Sequence, residues 1–193
     1  MNRFIISAAV FLILISSISL SAGERWSAEL RGGAAFATGD LSDSDIGTGI
    51  DLEGTAAYRF MPHLGVYAGW GWTQFISDNS FAGEDMDFEE TGYTLGLQFI
   101  HPIGAGKLNY VVRAGLVFNH IEIENDEGDI VGDSDHSLGW QIGAGLSIPA
   151  GSNWRFVPSV RYRAVPLEIE VENVTADMDL TYISAGLGVS RTF

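Results

Sequence analysis

A two-residue alternation between bulky apolar side chains and small or polar side chains constrains the fold more than any other feature of this sequence. It is present in residues 26–36, 50–60, 64–76, 91–101, 108–120, 138–148, 154–164 and 181–193. Because successive side chains of a β-strand point to opposite faces, the alternation predicts about eight strands, each with one apolar and one polar face. Each segment is long enough for a tilted strand to cross a bilayer, which takes about 9–11 residues.

The connections between these segments are short and long in turn. Residues 61–63, 102–107 and 149–153 are short and rich in Pro and Gly, whereas residues 38–48, 77–90, 122–136 and 166–180 are longer. The long segments hold most of the Asp and Glu and no Lys or Arg, so nearly all of the net charge of −15 lies at one end. This arrangement predicts an up-and-down antiparallel meander whose two ends face different compartments.

The volume of the apolar side chains decides which face of the sheet is inside. The interior of an eight-stranded barrel is just wide enough for side chains to fill it, and it cannot hold all of the Trp, Tyr, Phe and Leu residues on the apolar faces. The opposite faces carry Gly, Ser, Thr and a few charged residues. The sequence therefore predicts an all-β, eight-stranded transmembrane barrel, with Trp70 and Trp140 among the side chains that face lipid.

Beyond the membrane-crossing part of several strands, the alternation continues but its chemistry is reversed. Acidic residues take the outward positions, and apolar residues take the inward ones: Met86, Phe88, Ile121, Ile123, Leu167, Ile169, Val171, Met178 and Leu180. A strand that leaves hydrocarbon for water is expected to change in this way. We therefore predict paired hairpins that extend beyond the bilayer, with an upper lumen that is either packed shut or open as a pocket for a small hydrophobic molecule.

Eight charged residues fall on the inward face: Glu29, Arg31, Asp51, Glu53, Arg59, Arg113, Arg161 and Arg163. Counting from the short turns places Glu53 level with Arg161, and Asp51 level with Arg163. These residues form either a gate of exchangeable salt bridges or a static network that fills the lumen. The static network is favoured, because an unpaired buried charge costs several kcal/mol.

Few residues suggest catalysis or metal binding. His136 and Ser137 are adjacent, so their side chains point to opposite faces of a strand, which does not suit a nucleophile and its base. His120 and His136 are expected to approach each other on neighbouring strands, as a metal or proton site or, preferably, as part of a solvated rim. The chain has no cysteine, and its acidity opposes nucleic-acid binding. We predict no enzyme activity, no cofactor and no metal.

The two ends of the chain have the features of an exported protein. Residues 1–23 have Arg3, an apolar run and small residues at the end, which predicts a cleaved signal peptide followed by one domain, residues 24–193. The segment from Thr181 to Phe193 alternates to its last residue and resembles the terminal strand of bacterial outer-membrane β-barrel proteins. Residues 26–193 as a whole are similar to the small eight-stranded OmpA/OmpX/Opa-like group, from which Arg191 departs, since members often have an apolar residue there.

The resemblance implies an integral outer-membrane location and extracellular hairpins, and we expect a monomeric or weakly associating barrel. It also implies that Phe193 is part of the signal read by the barrel-assembly machinery. Outer-membrane lipid and lipopolysaccharide are the expected partners. The acidic hairpins are either a solvated acidic surface, which is favoured, or a weak bridge to lipopolysaccharide through Ca²⁺ or Mg²⁺. The predicted role is structural or adhesion-like, with a closed lumen. The alternative is an OmpW-like conduit for small hydrophobic molecules, and a lipid A-modifying enzyme is the least favoured function.

Overall fold

The structure is a computed structural model that describes residues 25–38, 48–80, 83–125, 130–171 and 174–193. The signal peptide predicted at residues 1–23 lies outside these described residues. Within them, no helix has both the length and the apolar character needed to span a membrane.

Nine strands lie in the described part of the chain. They are β1 (Trp26–Thr38), β2 (Thr48–Arg59), β3 (Leu64–Ser80), β4 (Gly83–Pro102), β5 (Asn109–Glu124), β6 (Ile130–Ser134), β7 (Ser137–Pro149), β8 (Trp154–Val171) and β9 (Val174–Thr192). The strands β6 and β7 follow each other along one position of the wall, since both pair with β5 and β8. The nine strands thus occupy eight wall positions.

The sheet closes on itself. Every pairing between strands is antiparallel, and β1 pairs with both β2 and β9. The closing pair runs in register from Ser27↔Thr192 to Thr38↔Thr181. Closure removes the exposed edges that an open sheet would present. The predicted eight-stranded, antiparallel, up-and-down barrel is confirmed.

Two hairpins extend the wall at the long-connection end. The β3–β4 pairing continues to Ser80↔Gly83, and the β8–β9 pairing continues to Val171↔Val174. The reversed alternation predicted such paired hairpins, and the strand pairing agrees with it. The residues between β1 and β2, which the sequence assigns to another long connection, lie outside the described residues.

The register of the wall shifts between Ile123 and Glu124 of β5, and it shifts again where β6 passes into β7. Glu122 of β5 pairs with Asp133, but Asn119 pairs with Ser137. Two residues of β5 therefore face three on the other strand, which is the pattern of a β-bulge. The extra residue shifts the inward phase, so that Ser134 is buried in β6 whereas odd-numbered residues are buried in β7.

The two faces of the wall differ as the volume argument predicts. Large apolar side chains are exposed on the outer face, with Leu95 66% exposed and Trp70 and Trp140 more than 40% exposed. Charged side chains such as Glu53 and Arg163 are buried inside. A water-soluble barrel has the opposite arrangement, so this outer face is suited to hydrocarbon.

Candidate functional site

The middle of the lumen is filled by charged side chains that form a connected network. Arg31 bonds to Asp51, Asp51 also accepts a bond from Arg161 (2.8 Å), and Arg161 reaches Glu53. Arg163 then joins Glu53 (3.2 Å) to Glu90 (3.1 Å). Three guanidinium groups and three carboxylates thus alternate along one chain of ion pairs, which we call the lumen network.

A separate ion pair lies nearer the short turns. Arg113 donates two bonds to the carboxylate of Glu29, at 2.8 and 2.7 Å. Its Nε donates to Gln98 at 2.8 Å, and its guanidinium carbon lies 5.7 Å from the ring centre of Tyr67. Two parallel hydrogen bonds of this kind fix the relative orientation of the two side chains and also strengthen the ion pair.

Neutral polar side chains complete the network. Arg163 donates to Gln141 at 3.1 and 2.8 Å. Arg31 donates to Ser159 at 3.0 Å and to Ser184 at 3.2 Å. Most of the polar groups that the closed wall removes from water thereby gain partners, as buried charges require. Three atoms of lumen side chains have no hydrogen-bond partner among the described residues: Asp51 Oδ1, Asn119 Oδ1 and Arg161 Nε.

The structure joins some of the sequence-predicted ions and separates others. Glu53 contacts Arg161, with which the counting argument placed it level. Asp51, which the same argument placed level with Arg163, pairs with Arg31 and Arg161. Barrel strands are staggered and arginine side chains are long, so a count from the turns does not by itself give the ion-pair partners.

Arg59 belongs to a different part of the lumen. It lines a cavity at the short-turn mouth of the barrel, together with Arg25 and Arg155. Its position in β2, paired with Gly65 at the end of the β2–β3 ladder, places it close to the turn. The eight predicted ions thus divide between the lumen network, the Glu29–Arg113 pair and this mouth.

Sequence reasoning missed Glu90, which it assigned to an acidic surface segment. Glu90 is 2% exposed and accepts bonds from Arg163, from Asn119 and from the hydroxyl of Tyr182 (2.6 Å). The signal was present in the sequence, because the two-residue phase that directs Phe88 inward also directs Glu90 inward.

Above the lumen network, apolar side chains pack together at the long-hairpin end. We call this cluster the apolar plug, and each member is at most 2% exposed: Ala35, Phe75, Phe88, Val117, Ile121, Ile123, Val165, Leu180 and Tyr182. Phe75 and Tyr182 meet edge to face at 5.4 Å. Four predicted upper-lumen residues are members. The structure describes the backbone but not the side chains of the other five: Met86, Leu167, Ile169, Val171 and Met178.

Two cavities interrupt the described lumen. The larger, of about 220 Å³, opens at the short-turn mouth. The smaller, of about 30 Å³, lies at mid-height beside Arg31, Arg113 and Arg161. The smaller one has room for about two water molecules, since a single water needs roughly 10–15 Å³ on this measure.

The two histidines near the hairpin end come together on the outside of the bulge. The rings of His120 and His136 are 4.4 Å apart, and His120 Nε2 is 3.3 Å from Glu122. His136 also lies 5.0 Å from the ring of Phe118. Across the described residues, no group of three or more His, Cys, Asp or Glu side chains is arranged to hold a metal ion.

A closed β-wall with an apolar exterior and a charged, packed interior defines a transmembrane β-barrel. The chain belongs to the family of outer membrane protein beta-barrel domains, whose pattern matches residues 7–193. It is therefore an integral protein of the bacterial outer membrane. No curated protein sequence matches it.

Several solved structures share this fold. Neisserial surface protein A has 17% identity and a TM-score of 0.63, covering 87% of this chain and 97% of its own. OprG from Pseudomonas aeruginosa has 17% identity and a TM-score of 0.56, with the same coverage of 87% and 97%. Ail of Yersinia pestis has 16% identity and a TM-score of 0.51, covering 88% and 99%. At these identities the likeness is one of fold.

Proposed function

We propose that this protein is a closed outer-membrane barrel whose role is structural or depends on surface interaction, and not on passage through the lumen. The observation that carries the proposal is that side chains fill the lumen at two heights. Ion pairs between buried side chains fill the middle of the lumen, and the apolar plug fills its upper part. A hydrated solute would have to break both, and removing one partner of a buried pair costs about 3–5 kcal/mol.

Because the filled lumen opposes the passage of solutes, we propose that function depends on the surface at the hairpin end. Asp133, Asp135 and Asp179 are exposed there, and the long segments contain no Lys or Arg. Ail of Yersinia pestis has been crystallised with the heparin analogue sucrose octasulfate, a polyanion. An acidic surface does not attract such a ligand directly, so we propose contact with lipopolysaccharide bridged by Ca²⁺ or Mg²⁺.

A test separates the surface role from conduction. The protein is reconstituted in planar bilayers to measure conductance, and in lipopolysaccharide-containing vesicles to measure Ca²⁺-dependent vesicle clustering. We expect no stable conductance, and clustering that falls in the variant carrying D133N, D135N and D179N. Lys107→Gln, at the opposite end, is the matched control. Stable ion conductance, or equal clustering by both variants, would contradict the proposal.

The apolar lining of the upper lumen supports a second candidate, a conduit for small hydrophobic molecules. Ile121, Ile123 and Leu180 pack in the apolar plug, where a purely structural barrel could equally place polar groups, and a small apolar molecule would have to displace them in order to pass. Uptake of an apolar solute into vesicles distinguishes the two. Uptake that rises above that of protein-free vesicles would favour the conduit, and uptake equal to theirs would favour the closed barrel.

The seam of the barrel supports the proposed assembly role of Phe193. Its backbone N–H donates to the carbonyl of Trp26 at 2.8 Å, and its ring centre lies 5.0 Å from the guanidinium carbon of Arg191. We expect F193A to lower the folded amount in outer-membrane fractions while purified protein still refolds in detergent.

Mass spectrometry of the exported protein tests the proposed removal of residues 1–23, with Glu24 expected as the first residue of the mature protein.

A further inference from the structure

The cavity at the short-turn mouth, which we call the vestibule, has a chemistry that the closed lumen does not explain. It has a volume of about 220 Å³ and is walled by residues from all around the barrel. Four arginines line it, Arg25, Arg59, Arg113 and Arg155, whereas Glu29 is the single carboxylate among the described lining residues.

Glu29 does not compensate the outer part of the vestibule, because it is bound to Arg113. Both oxygens of its carboxylate accept bonds from that guanidinium, at 2.8 and 2.7 Å. The pair forms a neutral floor. The positive charge above the floor comes from Arg25, Arg59 and Arg155, on three different strands or strand ends.

Apart from Glu24 and Glu29, the sequence places no Asp or Glu in this half of the barrel. Residues 54–77, 91–121, 136–167 and 180–193 contain no Asp or Glu, although the chain has 25 of them. These ranges include the three short turns and the strand halves that lead into them. In a protein of net charge −15, this distribution leaves a cationic mouth at one end only.

The wall presents these arginines to the lumen. Arg59 and Arg155 occupy the inward phase of β2 and β8, in step with the buried Glu53 and Arg161. Among the described residues, the acceptors of Arg155 Nη1 are neutral and distant: Ser147 Oγ and the carbonyl of Lys107, each at 3.4 Å. A guanidinium in this setting keeps most of its capacity to bind a charged oxygen.

We propose that the vestibule is a binding site for a small oxyanion-bearing ligand, a carboxylate or a phosphate, from the compartment that the short turns face. Guanidinium groups match both anions with two parallel hydrogen bonds, and a concave cationic surface concentrates the field that attracts them. The cavity is smaller than the roughly 300–1,000 Å³ of sites for drug-sized molecules, which favours an anion of the size of a di- or tricarboxylate. Asn109, Asn153 and Ser147 supply neutral hydrogen-bonding groups in the same wall.

The test uses the full chain in detergent micelles at low salt, titrated separately with citrate and with pyrophosphate. Calorimetry gives the affinity, and backbone amide NMR shifts locate the site. We expect saturable binding that weakens as salt is raised, with shifts confined to the lining of the vestibule. Binding of citrate alone assigns the site to carboxylates, binding of pyrophosphate alone assigns it to phosphates, and binding of both supports a general oxyanion site.

Two variants make the test specific. Arg59→Gln and Arg155→Gln are each expected to weaken binding about tenfold, since each removes a charged hydrogen-bond donor. Arg191→Gln is the matched control, because it removes one cation at the same end but in the outward phase of β9, over the ring of Trp154. It should change affinity less than twofold. Circular dichroism verifies that every variant is folded.

Three results would overturn the proposal. They are the absence of saturable binding by either anion, shifts located away from the vestibule, and an equal loss of affinity in the control variant. None of them bears on whether the lumen conducts, so the vestibule and the closed-barrel function fail or stand separately.

Discussion

Replacing Arg163 by methionine tests whether the lumen network holds the barrel together. Arg163 is 2% exposed and bonds to Glu53, Glu90 and Gln141. After the replacement, Glu53 keeps Arg161 as its cation, bound to the same oxygen, Oε2, that Arg163 contacts. Glu90 keeps only neutral donors, Asn119 and Tyr182, among the described residues.

The expected cost follows from that single uncompensated carboxylate. Breaking a buried ion pair by removing one partner costs about 3–5 kcal/mol of unfolding free energy, and the methionine side chain fills most of the vacated volume. Glu90→Gln in the Arg163→Met background removes the stranded charge. The double variant should therefore recover about 2 kcal/mol, within the range of coupling energies between contacting residues.

The assay is reversible urea unfolding in lipid vesicles, followed by tryptophan fluorescence. Lys107→Met is the control, since Lys107 lies exposed in a short turn and its replacement should change stability by less than about 0.5 kcal/mol. The reasoning is refuted if the unfolding free energy of Arg163→Met lies within about 1 kcal/mol of the parent value, because so small a change is close to that of an ordinary surface substitution. It is equally refuted if the Arg163 and Glu90 effects are additive, because the two side chains would then not interact.

Three further outcomes follow from the wall, its glycines and the apolar plug. Leu95→Arg, on the lipid-facing side, should cost about 2–4 kcal/mol in vesicle unfolding experiments, while Leu95→Phe should be tolerated. Gly96→Ala should destabilise the barrel by about 1–3 kcal/mol, because the new Cβ would lie 2.3 Å from the carbonyl oxygen of Ala114. Gly32→Ala is the control and should be nearly neutral, because the nearest atom to its Cβ is a carbonyl oxygen at 3.9 Å. Phe88→Ala should cost about 3–5 kcal/mol by leaving a cavity in the apolar plug, yet planar bilayers should show no conductance, because the lumen network still blocks the passage.

The wall of this barrel was predictable because it depends on a local rule. The direction of each side chain is fixed by its position in a strand, so the inward and outward sets follow from the alternation alone. The rule also predicted the continuation of β3, β4, β8 and β9 into hairpins. In these hairpins the outer face meets water instead of lipid, while the two-residue alternation of the side chains continues in the same phase.

The bulge between β6 and β7 could not be predicted in this way. It adds one residue opposite β5, and nothing in the alternation of Asp133 to Ser137 shows where the phase changes. The ion-pair partners of Asp51 did not follow from the count for a different reason, since the partner of a long arginine depends on strand stagger and on how far its side chain extends. Glu90 was missed because acidic composition was given more weight than phase.

Charge is arranged along the barrel in three zones: acidic hairpins, a lumen of matched ions and a basic vestibule. This arrangement follows from where water can reach. Inside the closed wall, Glu29, Asp51, Glu53 and Glu90 are matched by four arginines, since an unmatched ion there has no solvent to stabilise it. Charges that are not matched must lie at the two mouths, where the hairpins are acidic and the vestibule is basic. The Debye length at physiological salt is about 8 Å, so fields from mouths on opposite sides of a bilayer, with a hydrocarbon core of about 30 Å, do not reach each other through solvent. Ligands at the two mouths should therefore bind independently, which permits one barrel to meet a cation-bridged lipid surface on one side and a small anion on the other.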